Sequence, residues 1–411
     1  MQISRKLRFV LAACTLLGAG IGLYFWIYPL QFFPPLPAGA PRAAQLRAEG
    51  FVYSPDAVYT LEFLGGGHQA IAEISPEIPT VSQRVYLGDA EYNALSFSRN
   101  QVFLSVYRYQ SAFGEAGGQL VDQIQLPQGD MTLSHIHAYL LQGAMPINTF
   151  VVGQHLWVQV RHLKDVPHSG FEVYNIQTGD YVTTVDLGED YVIIDWVLDA
   201  EKKKLYAFGN SDYLLKDKSP YITNNAFKKK KTNYTVFFDI DLVTCSIQKR
   251  FSFDESLISI SHSGLFYREG RIYLVSTTRY DPRSPTDREI SPYPELLVFS
   301  PEDNRILTRT PLPVGGMYLQ YHQGLGNVYF FEPEKQQIVG FDIRTKKIVQ
   351  TFDVPGVRDM TIRGDYLYCN QRFLFLGNDY RDPPQISVWD LRTGKEVQRI
   401  PGVFGPFASQ F

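Results

Sequence analysis

A short β-rich phrase, apolar–aromatic–apolar in alternation, returns along the chain from residue 51 onward, and it constrains the fold more than any other feature. Its copies are Val58-Tyr59-Thr60-Leu61, Val102-Phe103-Leu104-Ser105, Leu156-Trp157-Val158, Leu205-Tyr206-Ala207-Phe208, Ile272-Tyr273-Leu274-Val275, Val328-Tyr329-Phe330-Phe331 and Tyr366-Leu367-Tyr368. Successive starting positions lie 38 to 67 residues apart, so the repeat is loose and carries large insertions. A second phrase follows most copies: a strand, a polar turn, another strand. It is clearest at 386–397 (ISVWDLRTGKEV) and returns at 339–349 (VGFDIRTKKIV) and 173–180 (VYNIQTGD). Degenerate copies stand at 236–241 (VFFDID) and 297–303 (LVFSPED). Period-two alternation on both sides of an Asp or Thr-Gly turn predicts a hairpin.

Together the phrases describe a unit of strand, short turn, strand, variable loop, strand, polar turn, strand. Four antiparallel strands repeated seven times make the blades of a β-propeller over residues 50–401, an all-β body. No segment after residue 50 sustains helical periodicity. The first three units fit the pattern least well, and counts of six or eight blades stay open at this level. A chain of 411 residues, 45% apolar and 14% aromatic, can bury a core of this size, and its 26 Tyr and 28 Phe favour strands.

The phrases VWDLRTGKEV (388–397), GFDIRTKKIV (340–349) and VYNIQTGD (173–180) resemble those of the YVTN-repeat and quinoprotein amine dehydrogenase-like superfamily of seven-bladed propellers. The resemblance covers most of residues 50–401. It implies the fold, and it brings in a class of propeller enzymes, quinoprotein dehydrogenases and lactonase-like hydrolases, with a site at the central channel. The motifs themselves encode turns and no chemistry. WD40 repeats are similar locally, but the Gly-His partner of that signature is absent here.

At the N-terminus, Arg5, Lys6 and Arg8 precede an uncharged run over 9–28 that is closed by Pro29. Such a run at about 1.5 Å per residue spans about 30 Å, the hydrocarbon thickness of a bilayer. The basic flank predicts a cytoplasmic N-terminus and an extracytoplasmic body, periplasmic or lumenal, held by one transmembrane signal anchor. Two other readings stay open. Leu11-Ala12-Ala13-Cys14 is lipobox-like, and a cleavable signal could end at Ala38-Gly39-Ala40. All three export the body. Residues 29–49, rich in Pro and Ala, predict a spacer between bilayer and propeller, and 402–411 a C-terminal tail.

The long insertions fall at 108–117, 161–170, 209–234, 277–294 and 371–384, all read as links between the second and third strands of a blade. Those links leave a propeller on one face, so the insertions predict an elaborated binding surface. Two of them mix Tyr, Arg and Asp: Arg279, Tyr280, Asp281 and Arg283 in one, Asp379, Tyr380, Arg381 and Asp382 in the other. Tyr and Arg anchor many protein interfaces, and a solvated, salt-bridged loop is the plainer reading. The run Lys228–Lys231 reads chiefly as a solvated loop tip.

His135 and His137 share one strand face, a spacing metal sites use, but no third ligand stands beside them in sequence and no metal is expected. The sequence has no His-Glu-x-x-His, Gly-x-Ser-x-Gly, Cys-x-x-Cys or Walker loop, and no cofactor motif, so no catalytic residue is assigned. Cys14, Cys245 and Cys369 do not form a disulfide framework; the last two are expected to be free and buried. A net charge of −3 argues against nucleic acid as a partner. The expectation is therefore a membrane-anchored extracytoplasmic propeller that binds a protein or another ligand, as an accessory subunit of a membrane or envelope complex. A propeller enzyme with its site at the central channel is the alternative.

Overall fold

The computed structural model describes residues 53–54, 56–63, 68–75, 81–89, 92–98, 100–106, 120–126, 134–141, 144–162, 168–188, 191–211, 235–253, 257–280, 294–314, 316–371, 385–401, 403, 407 and 409–410. They form seven sheets, one per blade. Blade 1 holds β1 (Val58–Phe63), β2 (His68–Ile74) and β3 (Val81–Asp89). Blade 2 holds β4 (Tyr92–Ser98), β5 (Gln101–Val106), β6 (Leu120–Gln125) and β7 (Ser134–Leu140). Blade 3 is β8 (Ala144–Val152), β9 (His155–His162), β10 (His168–Asn175) and β11 (Tyr181–Asp186). Blade 4 is β12 (Tyr191–Asp199), β13 (Lys204–Ser211), β14 (Thr235–Asp241) and β15 (Ser246–Ser252). Blade 5 is β16 (Leu257–Arg268), β17 (Arg271–Tyr280), β18 (Glu295–Ser300) and β19 (Arg305–Pro311). Blade 6 is β20 (Met317–His322), β21 (Asn327–Glu332), β22 (Gln337–Asp342) and β23 (Lys347–Asp353). Blade 7 is β24 (Val357–Arg363), β25 (Tyr366–Gln371), β26 (Gln385–Asp390) and β27 (Lys395–Pro401). A last strand, β28 (Ser409–Gln410), returns to blade 2.

The seven copies of the first phrase all land on the second strand of a blade, β1 of blade 1 included, because that strand is buried on both faces. Along β21, Val328 and Phe330 face one neighbour while Tyr329 and Phe331 face the other. The same split divides the buried side chains into seven clusters, one per junction between adjacent blades. The junction of blades 3 and 4 is built on Phe150, Trp157, Phe171, Trp196 and Phe238. The junction of blades 7 and 1 combines Tyr368, Ile386, Val388 and Ile400 with Val58, Ile74, Val403 and Phe407. That last cluster closes the ring, so the count is seven.

The second phrase forms the turn between third and fourth strands. At Asn175, Asp241, Asp342 and Asp390, one side-chain oxygen accepts the N–H groups two and three residues on, at 2.8–3.2 Å. The chain then reverses through a residue with positive φ: Gly179 (79°), Cys245 (52°), Lys346 (57°) or Gly394 (73°). The four copies share the Asx, an Ile or Leu after it and a Thr three residues on (Thr178, Thr244, Thr345 and Thr393), and they make one turn.

Among the described residues blade 1 holds three strands, and Phe407, which follows blade 7, contacts the hub edge of β1. Phe407 makes an antiparallel bridge to Thr60 of β1. Ser409 and Gln410 then pair in parallel with Ser96 and Phe97 on the hub edge of β4. Three residues of the segment expected as a tail, Phe407, Ser409 and Gln410, thus pair with β1 and β4.

Residues 1–50, which include the expected membrane anchor and spacer, lie outside the described residues. Among the described residues no helix is long and apolar enough to cross a membrane.

Candidate functional site

Each blade turns from its second to its third strand at the end where its first strand begins. Five connections were expected to be long; the strands extend further than read, and four of them are. The ladders continue through Arg161 and His162, through Gly209 to Ser211, through Thr277 to Tyr280, and through Gln371. Polar and glycine residues sit at these strand ends because antiparallel backbone pairing satisfies them without an apolar side chain. The remaining connections are 107–119, 163–167, 212–234, 281–294 and 372–384, against 64–67 in blade 1 and 333–336 in blade 6. The connection of blade 3 is therefore short. Blades 2, 4, 5 and 7 carry the elaboration.

Of the eight residues singled out in the sequence, Arg279 and Tyr280 end β17, in register with Ile258 and Leu257 of β16. Asp281, Arg283, Asp379, Tyr380, Arg381 and Asp382 lie outside the described residues, as do Lys228–Lys231. Arg279 and Tyr280 reach the loop end of blade 5, and the two loops begin at the same face.

That face also holds a constellation the sequence reading missed. The first strands of blades 2, 3, 4 and 7 each bulge near their start, between Tyr92 and Ala94, Pro146 and Asn148, Ile193 and Asp195, and Val357 and Asp359. In blades 3, 4 and 7 the residue that resumes the ladder is Asn148, Asp195 or Asp359. Each accepts the next backbone N–H on Oδ1, at 2.8–2.9 Å. In blade 2 the bulged residue, Asn93, donates from Nδ2 to the Pro146 carbonyl at 3.3 Å, while its Oδ1 is buried without a hydrogen-bond partner. A bulge re-aims side chains, and here it sets a partial ring of amides and carboxylates at the hub, near the long loops. The signal was an Asx recurring near the start of the first strand, in Asn93-Ala94-Leu95, Asn148-Thr149-Phe150, Asp195-Trp196-Val197 and Asp359-Met360-Thr361.

In blade 6 the corresponding position is Tyr318, whose backbone lies in the left-handed region at φ 58°. That conformation is costly for a bulky side chain. Tyr318 is pushed up by burial and further by Asp359, with Arg358 opposing. Asp359 is pushed up to about 6 by burial, against the lowering effect of N–H donors from Phe407 (3.0 Å) and Met360 (2.8 Å). Tyr318 packs against the cluster between blades 6 and 7, and its proton affinity feels the Asp359 carboxyl and the Arg358 guanidinium of β24.

The other ionisable groups singled out have structural partners. His135 Nε2 lies 3.0 Å from Asp122 Oδ1, and His137 Nε2 lies 3.2 Å from the Gln177 carbonyl of blade 3. Among the described residues no group of three metal-ligating side chains converges. Cys369 is free and buried, as expected, and burial raises its thiol. Cys245 is free but only partly buried, because it occupies the positive-φ corner of a surface turn.

No family model matches the chain, and no curated protein matches it. Solved structures do. Dihydro-heme d1 dehydrogenase NirN in complex with DHE superposes with a TM-score of 0.50 at 14% identity, over 91% of this chain and 78% of that one. Hydrazine synthase of Kuenenia stuttgartiensis superposes with a TM-score of 0.52 at 10% identity, over 77% of this chain and 90% of that one. At such identities the likeness speaks to the fold alone.

Proposed function

We propose that the chain is a membrane-anchored, extracytoplasmic binding scaffold whose working surface is the long-loop face. One observation carries this reading. Connections 107–119, 212–234, 281–294 and 372–384 all leave the same end of their blades, while the turns between third and fourth strands at the other end are four or five residues long in blades 3 to 7. Loops of that length in a compact fold are usually functional, and a rigid ring of blades holds their ends in place. The basic flank and apolar run over 9–28 support an anchor, and the spacer would lift the face off the bilayer. The class of partner is a protein of a membrane or envelope complex, met by Tyr, Arg and Asp side chains of the two mixed loops.

The test is capture from detergent-solubilised membranes with the full chain and with a chain whose 281–294 and 372–384 are replaced by short turns. A stoichiometric partner that is lost on replacement, with the variant's melting temperature kept, supports the reading. A partner retained by the variant removes it.

A second reading, an enzyme working at the hub, is favoured by Tyr318, Arg358 and Asp359. It predicts a bound chromophore, or a metal in elemental analysis, in the purified chain at one equivalent. Substitution of Asp359 would then change turnover before it changed stability.

A further inference from the structure

We propose that the turns between third and fourth strands of blades 6 and 7 are a docking surface for anionic phospholipid headgroups, on which the propeller rests against a bilayer. The proposal takes the membrane anchor from the reading above and adds which side of the body faces the lipid.

Two independent observations meet on the turn face, the side opposite the long loops. The first is where the chain joins the propeller. Tyr53 stacks on Tyr59, near the start of β1, at 5.6 Å between ring centroids, and on Phe97, near the end of β4, at 5.5 Å. The Ser54 N–H donates to the Tyr59 hydroxyl at 2.8 Å. β1 is a second strand and starts at the turn face, and β4 is a first strand and ends there. The chain before Tyr53, which includes the run over 9–28, therefore joins the body at the turn face.

The second observation is charge. The turn of blade 6 carries Arg344, Lys346 and Lys347, and that of blade 7 carries Arg392 and Lys395, all exposed. Arg392 is held by Asp365, Nε to Oδ2 at 2.5 Å. Among the described residues the other four close no ion pair. The acids of the same turns, Asp342 and Asp390, each give one oxygen to backbone N–H groups. Beside the cations, Ile348 and Val349 of β23 and Val397 of β27 are 44–45% exposed. The turn of blade 3, across the ring, holds Asp180 and no cation, so the rim is basic on one side. Cations beside exposed aliphatic side chains match a headgroup layer, phosphate for the first and the acyl boundary for the second. Such attraction fades within a Debye length, about 8 Å at physiological salt, so it needs the turn face toward the bilayer. The position of Tyr53 supplies that.

The test is lipid quenching in the full chain reconstituted in nanodiscs that carry a headgroup nitroxide lipid. A fluorescent side chain replaces Val349, the bulged residue of β23, or Val182 of β11 in blade 3, which is equally exposed. With phosphatidylglycerol in the discs, emission from position 349 should fall by about twofold or more below that from position 182. In discs of phosphatidylcholine alone the two should match. Arg344→Glu with Lys347→Glu and Lys395→Glu should abolish the difference at an unchanged melting temperature; Lys346 is kept because it forms the positive-φ corner. If that variant melts early, Lys347→Gln with Lys395→Gln should shrink the difference. Equal quenching at both positions in the anionic discs, or a difference that survives these substitutions, would overturn the docking surface. A chain that elutes apart from the discs would remove the anchor instead. The surface then stands or falls by sedimentation with added phosphatidylglycerol vesicles, which the native chain should bind and the substituted chain should not.

Discussion

At the corner of each hairpin turn the backbone passes through the left-handed region, where a side chain costs about 1–2 kcal/mol relative to glycine. Gly179 and Gly394 are suited to that corner, while Lys346 and Cys245 bear the cost. Lys346→Gly should therefore raise stability by about 0.5–1 kcal/mol, since the extra freedom of unfolded glycine offsets part of the gain. The urea midpoint measures it. Gly179→Ala should lower stability by at least as much, because its Cβ would also lie 3.0 Å from His137 Nδ1. Asp359 gives the pH dependence. Its carboxyl titrates at about 6 in the fold and near ~3.9 in the unfolded chain, so between those values the folded state holds more protons. Its contribution is full below about pH 4 and is lost as pH rises through 6, on the order of 3 kcal/mol in all. Asp359→Asn should flatten that fall in a series of urea midpoints from pH 4 to 8. An unchanged slope would assign it to other groups.

Among the elements, blade 1 departs most from its neighbours. Inside it Arg84 clasps Glu62 with two bonds, Nε to Oε2 at 2.7 Å and Nη2 to Oε1 at 3.1 Å, and Glu62 is fully buried. Burial pushes the Glu62 carboxyl up while Arg84 pulls it down. Arg84→Met would strand a buried carboxylate and should cost about 3 kcal/mol at pH 7. The cost should shrink as the pH falls, because protonation relieves the stranded carboxylate, whose proton affinity burial already raises. Thermal melts at pH 7 and at a series of lower pH values read the difference. This blade also marks where sequence reasoning stopped. The second strands were legible because burial on both faces writes an unbroken apolar run. The turns were legible because Asp and Thr-Gly serve local bonds. First strands such as Tyr191–Asp199 show a weaker pattern, since they stand at the hub with side chains partly exposed. The hub contact of blade 1 could not be read at all, because among the described residues it is a single bridge from Phe407, far in sequence from Thr60. The Asx recurrence was present in the sequence but is short, and it gains meaning only once the bulges bring it to one face.

For the whole molecule, seven junctions of similar make-up share the load, and the one between blades 7 and 1 closes the ring through Val403 and Phe407. Phe407→Ala removes a buried ring from that junction and should cost about 3 kcal/mol. Phe330→Ala, in the junction of blades 5 and 6, should cost the same or more; Phe330 is fully buried. Both variants should lower the melting temperature, Phe330→Ala by at least as much as Phe407→Ala, and thermal melts measure the two shifts. The seven-bladed ring leaves two faces, one with long loops and one with short turns, and the account assigns partner binding to the first. The most direct measurement is photocrosslinking in intact membranes from the full chain, with the photoreactive side chain placed in turn at Arg279 and Tyr280 on the loop face and at Arg344 and Arg392 on the turn face. The account predicts one and the same protein adduct from Arg279 and Tyr280 and none from Arg344 and Arg392. An adduct formed from the turn-face positions, with the loop-face positions silent, would contradict it.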